Sequence, residues 1–306
     1  MNDARTPSLK LDAETLAAMH AADIADVFEH TTPDQHVLIM SVLGAEKRAE
    51  LLVYLDASER RGLLDQRSPA QIAALVGALE SDDAADVLGE LEEQTQIKVL
   101  AAIEDEDPKE ANEVRSLLHY PDDTAGGLMQ AEIASITYNA TAAEALEALR
   151  ASQDDADSMH FIFVTDERGK FIGVVRMARL ALAEPSSPIA GIFEPKFVDV
   201  EAHVDQEEVA QLFAKYDIIT LAVVDEHERL LGRIMVDDIL EVWAHEADED
   251  AFRMVGSDAD ELQHQRNPVR LAFIRLPWLL INLVGSAATG WMLFLFQGTL
   301  VDHIVL

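Results

Sequence analysis

Carboxylates at helical spacing are the residues of this sequence with the clearest chemistry. Asp82 and Asp86 are four positions apart and project from one face of a predicted helix. Like charges at that spacing repel by roughly 0.2–0.5 kcal/mol unless a cation lies between them. An acid at a helix start also interacts favourably with the helix dipole, so capping is the alternative role for Asp82, whereas Asp86 lies too far along the helix to share it.

A denser acidic run precedes the C-terminal apolar region. On a helix, Asp238, Glu241 and Glu249 fall near one stripe, with Glu246 and Asp250 beside it. Two such stripes facing each other repel by roughly 1 kcal/mol per close pair even in a water-like dielectric, and divalent cations between them would bridge them. All-oxygen ligation favours Mg2+ or Ca2+ over zinc or copper, although composition does not separate the first two ions.

A third acidic group brackets one predicted helix. Asp205 and Glu207 stand at its start, where an N-cap and a first-turn acid have ready structural roles. Asp217 follows the end of the same helix and has no cap to make. These three residues are therefore weighed both as helix-end groups and as metal ligands.

The overall charge limits the classes of partner. The 306 residues include 57 Asp and Glu against 23 Lys and Arg, a net charge of −34, and no Cys. Nucleic-acid binding needs clustered Lys and Arg and is not expected, and thiolate metal sites and cysteine nucleophiles are excluded. Adaptation to salt is an alternative explanation for the total charge, so the placement of the carboxylates must decide.

No enzyme is predicted. The run from His245 to Glu249 departs from the zinc-protease pattern HExxH at its last position, where Glu replaces His, and no third ligand is evident. The sequence also lacks a phosphate-binding Gly-rich loop and a nucleophile elbow.

Short amphipathic helices are predicted from about Leu16 to Ile103. Apolar groups recur at helical spacing roughly every dozen residues, and helix starts are indicated by Thr32 before Pro33, by Ser68 before Pro69, and by Ser81. This pattern predicts a solenoid-like stack of helices.

A second repeat lies between about Leu128 and Val242. The hairpin pattern that begins at Val164 returns at Val223, and the capping boxes Thr141–Glu144 and Asp205–Glu208 open matching helices. Strand, helix, hairpin and helix are thus predicted twice. This tandem resembles a CBS pair, a regulatory module that commonly binds adenosine ligands and pairs face to face as a dimer.

The run from Leu276 to Phe296 is apolar and uncharged. At about 1.5 Å per residue it is long enough to cross a hydrocarbon layer of about 30 Å, so a transmembrane helix is predicted. Arg270 and Arg275 precede it, and by the positive-inside rule the acidic region is expected in the cytoplasm, at an inner or plasma membrane. We expect the chain to be the front part of a longer membrane protein, because one helix cannot line a pore.

The ordered set of features resembles the MgtE family of bacterial magnesium channels over nearly the whole chain. The stretches that carry the resemblance are Tyr120–Met129 (YPDDTAGGLM), Asp205–Tyr216 (DQEEVAQLFAKY), Val236–Glu241 (VDDILE) and Arg275–Asn282 (RLPWLLIN). The fold implied is multi-domain: an all-α solenoid-like domain (1–118), an α+β tandem CBS pair (119–245), a connecting plug helix (246–274) and the first transmembrane helix with a truncated continuation (275–306).

The resemblance also implies a function and a ligand set. A homodimer paired through its CBS domains would sense intracellular Mg2+, which is also the transported ion, and close the pore when Mg2+ is plentiful. The implied ligands join the acidic groups above to Glu50 and the carbonyl of Ala214: Glu50, Asp82, Asp86, Asp205, Glu207, Ala214, Asp217, Asp238, Glu241, Glu246, Glu249 and Asp250.

Binding of ATP does not follow from the resemblance alone. CBS copies that bind adenosine usually carry Ser or Thr after the hairpin and Asp three residues later, whereas this chain has Arg176 with Arg179, and Met235 with Asp238. The alternatives left open are a membrane-tethered CBS nucleotide sensor without transport activity and an acidic scaffold that responds to ionic strength.

Overall fold

The structure is a computed structural model that describes residues 13–151, 160–195, 198–255, 276, 279–292 and 294–295. Most of the predicted plug helix, residues 256–274, lies outside the described residues. The chain divides into two compact units, Met1–Val242 and Trp243–Leu306. All contacts discussed below lie within the first unit.

Helices make up the regular structure of the described residues before 119. The even-numbered helices pack against one another in chain order: α2 contacts α4, α4 contacts α6, and α6 contacts α8. This pattern is typical of a solenoid. The helices are α1 (Ala13–Ala18), α2 (Ala21–Glu29), α3 (Pro33–Val42), α4 (Ala45–Tyr54), α5 (Ala57–Leu64), α6 (Pro69–Val76), α7 (Ser81–Gly89), α8 (Glu93–Glu106) and α9 (Pro108–Leu117).

The helix starts follow local side-chain chemistry in two of the three predicted places. The amide of Ser68 donates to Gln71 Oε1 at 3.0 Å, and the amide of Thr32 donates to Gln35 Oε1 at 2.9 Å, so both helices open with capping-box contacts. The predicted helix start at Ser81 is confirmed, because α7 begins there, but the Ser81 hydroxyl does not cap the helix as a Ser at a helix start is expected to do. Glu80 is the N-cap residue of α7, and the Ser81 hydroxyl is used instead for contacts outside the helix.

Two similar α+β copies of one repeat follow the solenoid. The first comprises β1 (Ser135–Thr137), α10 (Ala142–Ala151), β2 (Phe161–Thr165), β3 (Phe171–Arg176), α11 (Met177–Leu182), a 3-10 turn (Ile189–Gly191) and β4 (Glu194–Pro195). The second comprises β5 (Asp199–Glu201), α12 (Gln206–Tyr216), β6 (Thr220–Val224), β7 (Leu230–Met235) and α13 (Val236–Val255).

The internal repeat is visible in the sheet register. In each copy the first strand pairs parallel with the second, which forms an antiparallel hairpin with the third. The register shifts at Val164/Thr165 in one hairpin and at Val223/Val224 in the other, which are equivalent positions of the repeat. The hairpin tips meet, since the amide of Phe171 donates to Glu228 O at 2.9 Å.

The segment that connects the solenoid to the two α+β copies contacts the second copy, although it precedes the first copy in the sequence. The amide of Ala125 donates to Val204 O at 2.7 Å, and Gln130 forms an antiparallel bridge with Arg233 of β7. One apolar cluster consequently runs from solenoid residues such as Phe28 and Leu88 to Ile239 of α13. The solenoid is therefore fastened to the second CBS copy.

The second unit has less described structure. Residues 279–292 are helical and belong to the predicted membrane-spanning run. Within the described residues, no helix combines the length and the apolar character needed to cross a bilayer.

Replacement of Gly127 by Ala is expected to destabilise the first unit. A Cβ at this position would lie 2.4 Å from the carbonyl oxygen of Pro121 and 2.8 Å from Asp122 Cα, so the backbone would have to move. We expect a loss of about 1–3 kcal/mol in the free energy of unfolding, measured by urea denaturation.

Gly62→Ala is the matched control, because a Cβ at Gly62 in α5 meets nothing within 4 Å. It should leave stability unchanged or raise it by up to about 1 kcal/mol, since Ala favours helix more than Gly does. Equal effects of the two substitutions would contradict the packing argument.

Candidate functional site

The candidate site is the acidic edge where α7 meets the start of α13. The first turns of α7 carry Asp82 and Asp83, and the first turns of α13 carry Asp237, Asp238 and Glu241. Burial raises the pKa of Asp82 and of Asp238; the charge of Asp238 raises that of Asp82 further, and the charges of Asp237 and Asp83 raise that of Asp238 further. The structure thus brings together carboxylates that are more than 150 positions apart in the sequence.

Neutral and charged hydrogen bonds join the start of α7 to residues 130–132 and to β7. The Ser81 hydroxyl donates to Glu132 Oε2 at 2.6 Å and accepts from the amide of Ala131 at 2.8 Å. Gln130 Nε2 donates to Glu80 Oε2 at 2.8 Å, while Arg233 Nε donates to Gln130 Oε1 at 3.2 Å. Gln130 and Arg233 are 2% and 3% exposed, so they form a buried polar link between β7 and the start of α7.

Asp82 is the most informative residue of the site. Its side chain is only 8% exposed, and its Oδ1 atom is buried without a hydrogen-bond partner. Burial raises the pKa of this carboxyl well above its ordinary value, and the charges of Asp238, Asp83 and Glu80 raise it further. A buried carboxylate oxygen without a donor is costly in the charged form, and a cation is one way to compensate it.

The neighbouring carboxyls respond in the same direction. Burial, followed by repulsion from Asp237, raises the pKa of Asp238, although its Oδ2 accepts from the amide of Met235 at 3.0 Å. Burial also raises the pKa of Asp83 to about 7. The cluster is therefore poorly tolerated as a set of bare charges at neutral pH.

Two predicted ligands, Asp86 and Glu241, lie at the margin of the cluster. Asp86 has a solvent-exposed side chain, but the protein around it displaces part of its hydrating water. This desolvation, followed by the charge of Asp122, raises the pKa of Asp86 to about 6. Burial and repulsion from Asp237 raise the pKa of Glu241. Repulsion between these two also appears in the pKa of Asp86, so both belong to the same electrostatic neighbourhood.

Glu50 lies near the acidic edge, because its charge acts on the same tyrosine as the charges of the edge. It lies on α4 and forms an ion pair with Lys47 at 2.9 Å. Tyr54, one turn further along α4, has a pKa raised first by burial and then by the charges of Glu241, Asp83, Glu50 and Asp237. Glu50 is thus near the acidic edge while its charge is partly met by Lys47.

The predicted group on α12 does not gather within one chain. Asp205 is the N-cap of this helix and accepts from the amide of Glu207 at 2.8 Å, whereas Asp217 follows its C-terminal end in the left-handed conformation. With Ala214 in the last turn, these residues mark opposite ends of a helix about 15 Å long. One ion cannot bind both ends, so their role as ligands stays a prediction.

The remaining predicted ligands lie further along α13. Glu246, Glu249 and Asp250 fall in the second unit, and for Glu249 and Asp250 the description is limited to the helical backbone. Within the described part of the chain, no three His, Asp or Glu side chains converge closely enough to form a ready-made metal site.

Sequence reasoning missed several residues of the acidic edge. The spacing argument does not select Asp83, because only Asp82 and Asp86 are four positions apart. It does not select the link from Gln130 to Arg233 either, because these residues are 103 positions apart. Gln130 lies between Met129 and Ala131, outside any predicted helix or strand, and carries no periodic signal. The buried Arg within β7 is a weak signal that could have been noticed.

A separate cavity of about 260 Å3 lies between the two CBS copies. Its aromatic wall includes Phe161 and Phe163, and the segment after α12 closes the other side. At its mouth, Arg176 Nε lies 3.0 Å from Glu194 Oε1 and the guanidinium stacks over the Phe161 ring, 5.4 Å from the centroid. Arg179 Nη2 reaches the same carboxylate oxygen at 3.4 Å.

Asp217 also lines this cavity. Its backbone has φ 51°, a left-handed conformation that Gly adopts most readily and that Asn and Asp tolerate better than most other residues. The arginines and this carboxylate give the cavity polar groups of both signs beside apolar walls, as is usual for small-molecule sites.

Family models match the two regions separately. The model described as MgtE intracellular N domain matches residues 19–123, and the CBS domain model matches residues 125–185 and 189–245.

Curated relatives and solved structures agree with these matches. The magnesium transporter MgtE of Thermus thermophilus is 33% identical over 94% of this chain and 64% of its own length, and that of Bacillus subtilis is 27% identical over 93% and 62%. The chain thus spans somewhat less than two thirds of these relatives.

Two solved structures are similar to the chain. The cytosolic domain of the Mg2+ channel MgtE in complex with ATP is 33% identical with a TM-score of 0.64, over 75% of this chain and 93% of that one. The soluble part of a magnesium transporter is 28% identical with a TM-score of 0.67, over 76% and 91%.

The raised pKa values predict how stability changes with pH when divalent cations are absent. Between the ordinary carboxyl pKa near 4 and the raised values, the folded state binds more protons than the unfolded state, so stability is lost as pH rises. With EDTA present, we expect urea unfolding to give a free energy roughly 1 kcal/mol lower at pH 8 than at pH 6.

Asp82→Asn tests the origin of this effect, because it removes the carboxyl whose pKa is raised well above its ordinary value, first by burial and then by the charges of Asp238, Asp83 and Glu80. The slope with pH should become shallower in this variant. A wild-type stability that rises from pH 6 to pH 8 would contradict the reading of the cluster.

Proposed function

We infer the function from one premise: this chain belongs to the MgtE family. It combines the helical N-terminal domain and the CBS pair of the cytosolic part of a magnesium transporter. We propose that it senses intracellular Mg2+ for a membrane protein that transports this ion. No enzymatic activity is proposed.

We propose that Mg2+ binds at the acidic edge between α7 and α13. The observation that carries this proposal is Asp82, whose buried Oδ1 has no hydrogen-bond partner and which lies within the electrostatic reach of Asp238. The donor set contains only oxygen atoms, as Mg2+ prefers, and Mg2+ needs one or two carboxylates per ion because it keeps water ligands. The residues present therefore fit the ion.

Mg2+ would supply positive charge where the protein has an excess of negative charge. Asp82 on the solenoid and Asp238 on the second CBS copy would hold it, with Asp86 and Glu241 at the margin and Glu50 nearby. When Mg2+ is scarce, repulsion across the edge favours separation of the solenoid from the CBS pair. When Mg2+ is plentiful, the closed arrangement is favoured.

The proposed connection to the pore runs through α13. This helix carries Asp238 in its first turn and continues to Val255, ahead of the segment predicted to be the plug helix. We propose that the closed arrangement favours a closed pore. The expected location is the inner or plasma membrane with the solenoid and CBS pair in the cytoplasm.

A second copy of the chain is the proposed partner. Leu182 at the end of α11 is 88% exposed, and Leu240 on α13 is 56% exposed. These apolar side chains lie on the two helices that close the CBS copies, which supports pairing through CBS domains. In such a dimer, a second copy could complete the ligand groups at Asp205, Glu207, Ala214 and Asp217, and at Glu246, Glu249 and Asp250.

Mg2+ is expected to raise the thermal unfolding temperature and the protease resistance of the chain, while K+ at matched ionic strength does not. Asp82→Asn should raise the unfolding temperature in EDTA, because the amide avoids the cost of taking an ionisable carboxyl into a buried acidic position, and should reduce the response to Mg2+. Both quantities can be measured by thermal denaturation and by limited proteolysis.

Asp26→Asn is the matched control, since Asp26 is an exposed acid of α2 outside the acidic edge. It should retain the wild-type response. If K+ reproduced the effect of Mg2+, the chain would behave as an ionic-strength sensor and the proposal would fail.

Nucleotide sensing is a second candidate function, and the cavity between the CBS copies favours it. We propose that an adenine nucleotide occupies this cavity, with its base against the aromatic wall and its phosphates near Arg176 and Arg179. The complex of a 33% identical relative with ATP supports this proposal, although the Ser or Thr and Asp pair common in adenosine-binding CBS copies is replaced here. The two functions are compatible in one protein.

ATP is expected to raise the unfolding temperature, by an amount that grows with the logarithm of its concentration once this exceeds the Kd. Arg176→Ala should weaken ATP binding about tenfold or more, because it removes a charge-assisted hydrogen-bond donor and a cation–π contact at the mouth of the cavity. Thermal denaturation measures the unfolding temperature, and isothermal titration calorimetry measures the ATP affinity of each protein. Arg168→Ala, at an exposed hairpin tip, is the control and should bind ATP as the wild type does; equal affinity in all three proteins would exclude this binding mode.

A further inference from the structure

Gln130 is fixed on β7 by hydrogen bonds of both its backbone and its side chain. Its amide donates to Arg233 O at 2.7 Å, and its carbonyl accepts from the amide of Arg233 at 3.0 Å. The guanidinium of the same Arg233 donates through Nε to Gln130 Oε1 at 3.2 Å, where both side chains are almost fully buried. Three hydrogen bonds therefore hold Gln130 on the second CBS copy.

A fourth hydrogen bond of Gln130 crosses to the solenoid. Its Nε2 donates to Glu80 Oε2 at 2.8 Å, and Glu80 is the N-cap residue of α7. A guanidinium can only donate and a carboxylate can only accept, so one orientation of the Gln130 amide serves both neighbours. Gln130 thus joins a donor on β7 to an acceptor at the start of α7, which neither an apolar side chain nor an ionised carboxylate could do.

Ser81 makes a second connection at the same place. Its hydroxyl donates to Glu132 Oε2 at 2.6 Å and accepts from the amide of Ala131 at 2.8 Å. Ser81 is buried, so its hydroxyl depends on these two partners rather than on water. The contacts of residues 80–81 with residues 130–132 form a polar latch between α7 and a segment that is fixed on the second CBS copy.

The latch lies directly beside the two carboxylates proposed to hold Mg2+. On the solenoid, Ser81 is followed by Asp82. On the CBS side, Arg233 is two residues before Met235, whose amide donates to Asp238 Oδ2 at 3.0 Å. The backbone connects each side of the latch to a proposed ligand within a few residues, so the position of Asp82 relative to Asp238 depends on the latch.

We propose that the latch holds α7 against the second CBS copy independently of Mg2+ and thereby sets the Mg2+ concentration at which the solenoid closes. This inference rests on the proposed Mg2+ site and assigns Gln130 and Ser81 as its positioning residues. Neither residue binds the ion. Their hydrogen bonds act in the same direction as Mg2+ and oppose the repulsion between Asp82 and Asp238.

The direction of the effect follows from an equilibrium between separated and closed arrangements. If Mg2+ binds only the closed arrangement, a contact present only in that arrangement lowers the Mg2+ concentration that is required. The net contribution of one hydrogen bond corresponds to roughly three- to tenfold in such an equilibrium. Loss of a latch residue should therefore raise the Mg2+ midpoint by a similar factor for one bound ion.

The experiment compares Gln130→Met and Ser81→Ala with the wild type in the 306-residue chain. Both substitutions leave the charge of the acidic edge unchanged, and Met is close to Gln in size. The fraction of chain that survives limited proteolysis is measured over a series of free Mg2+ concentrations, with EDTA as the zero point and K+ at matched ionic strength. We expect the Mg2+ midpoint of protection to rise roughly three- to tenfold in each variant, with full protection at saturating Mg2+.

Gln96→Ala is the matched control. Gln96 Nε2 donates to Leu88 O at 3.2 Å, so this substitution also removes a hydrogen bond of a Gln side chain, but one that lies within the solenoid. Urea denaturation should show a loss of stability in this variant, whereas its Mg2+ midpoint should equal that of the wild type. An equal rise of the midpoint in all three variants would overturn the inference, because the midpoint would then follow overall stability.

The outcomes distinguish this inference from the proposed function. If Mg2+ protects the wild type while Gln130→Met and Ser81→Ala keep the wild-type midpoint, the role of the latch is overturned and the Mg2+ site stands. Incomplete protection of these variants at saturating Mg2+ would also overturn it, because the closed arrangement itself would then be damaged. If the wild type shows no Mg2+-specific protection, the proposed function fails, and the threshold role of the latch fails with it.

Discussion

The closed arrangement of the first unit depends on holding carboxylates of like charge together at a buried position. Burial makes ionisation of Asp82 on α7 and of Asp238 on α13 unfavourable, because water cannot solvate the charges. Repulsion between the two carboxylates makes ionisation less favourable still. The arrangement nevertheless persists through a continuous apolar cluster and the polar link from Arg233 through Gln130 to Glu80. Favourable packing and unfavourable charge thus meet at one boundary, which is where we propose that Mg2+ binds.

The order of attachment explains why this boundary can report to the rest of the chain. The segment after the solenoid packs on the second CBS copy before the first copy begins, so α7 faces the end of β7 and the start of α13. α13 is also the helix that leads toward the apolar C-terminal region. Under the proposed function, a change at the acidic edge would act at the first turn of that helix without passing through the first CBS copy.

Positive charge is used sparingly in this chain and in specific places. Arg60 is paired with Glu90 at the end of α7, Arg233 is buried within the polar link, and Arg176 with Arg179 holds Glu194 at the mouth of the cavity. Arg60 and Arg233 meet their acceptors in half-buried and buried settings, where planar donors are most effective, whereas Arg176 and Arg179 are more than half exposed. The net charge of −34 therefore conceals a local balance that differs between the acidic edge and the cavity.

The sequence by itself determined the elements and their repetition. Helical spacing predicted the solenoid, and the recurrence of the hairpin from Val164 at Val223 predicted the two CBS copies, because local periodicity and turn chemistry act over a few residues. It also identified Asp82, Asp86, Asp238 and Glu241 as members of acidic groups. Only the tertiary structure decided that Asp82 is buried beside Asp238, that Asp205 and Asp217 lie at opposite ends of α12, and that Asp83 joins the edge. Those facts depend on contacts between residues far apart in the chain, and such contacts leave no periodic trace in the sequence.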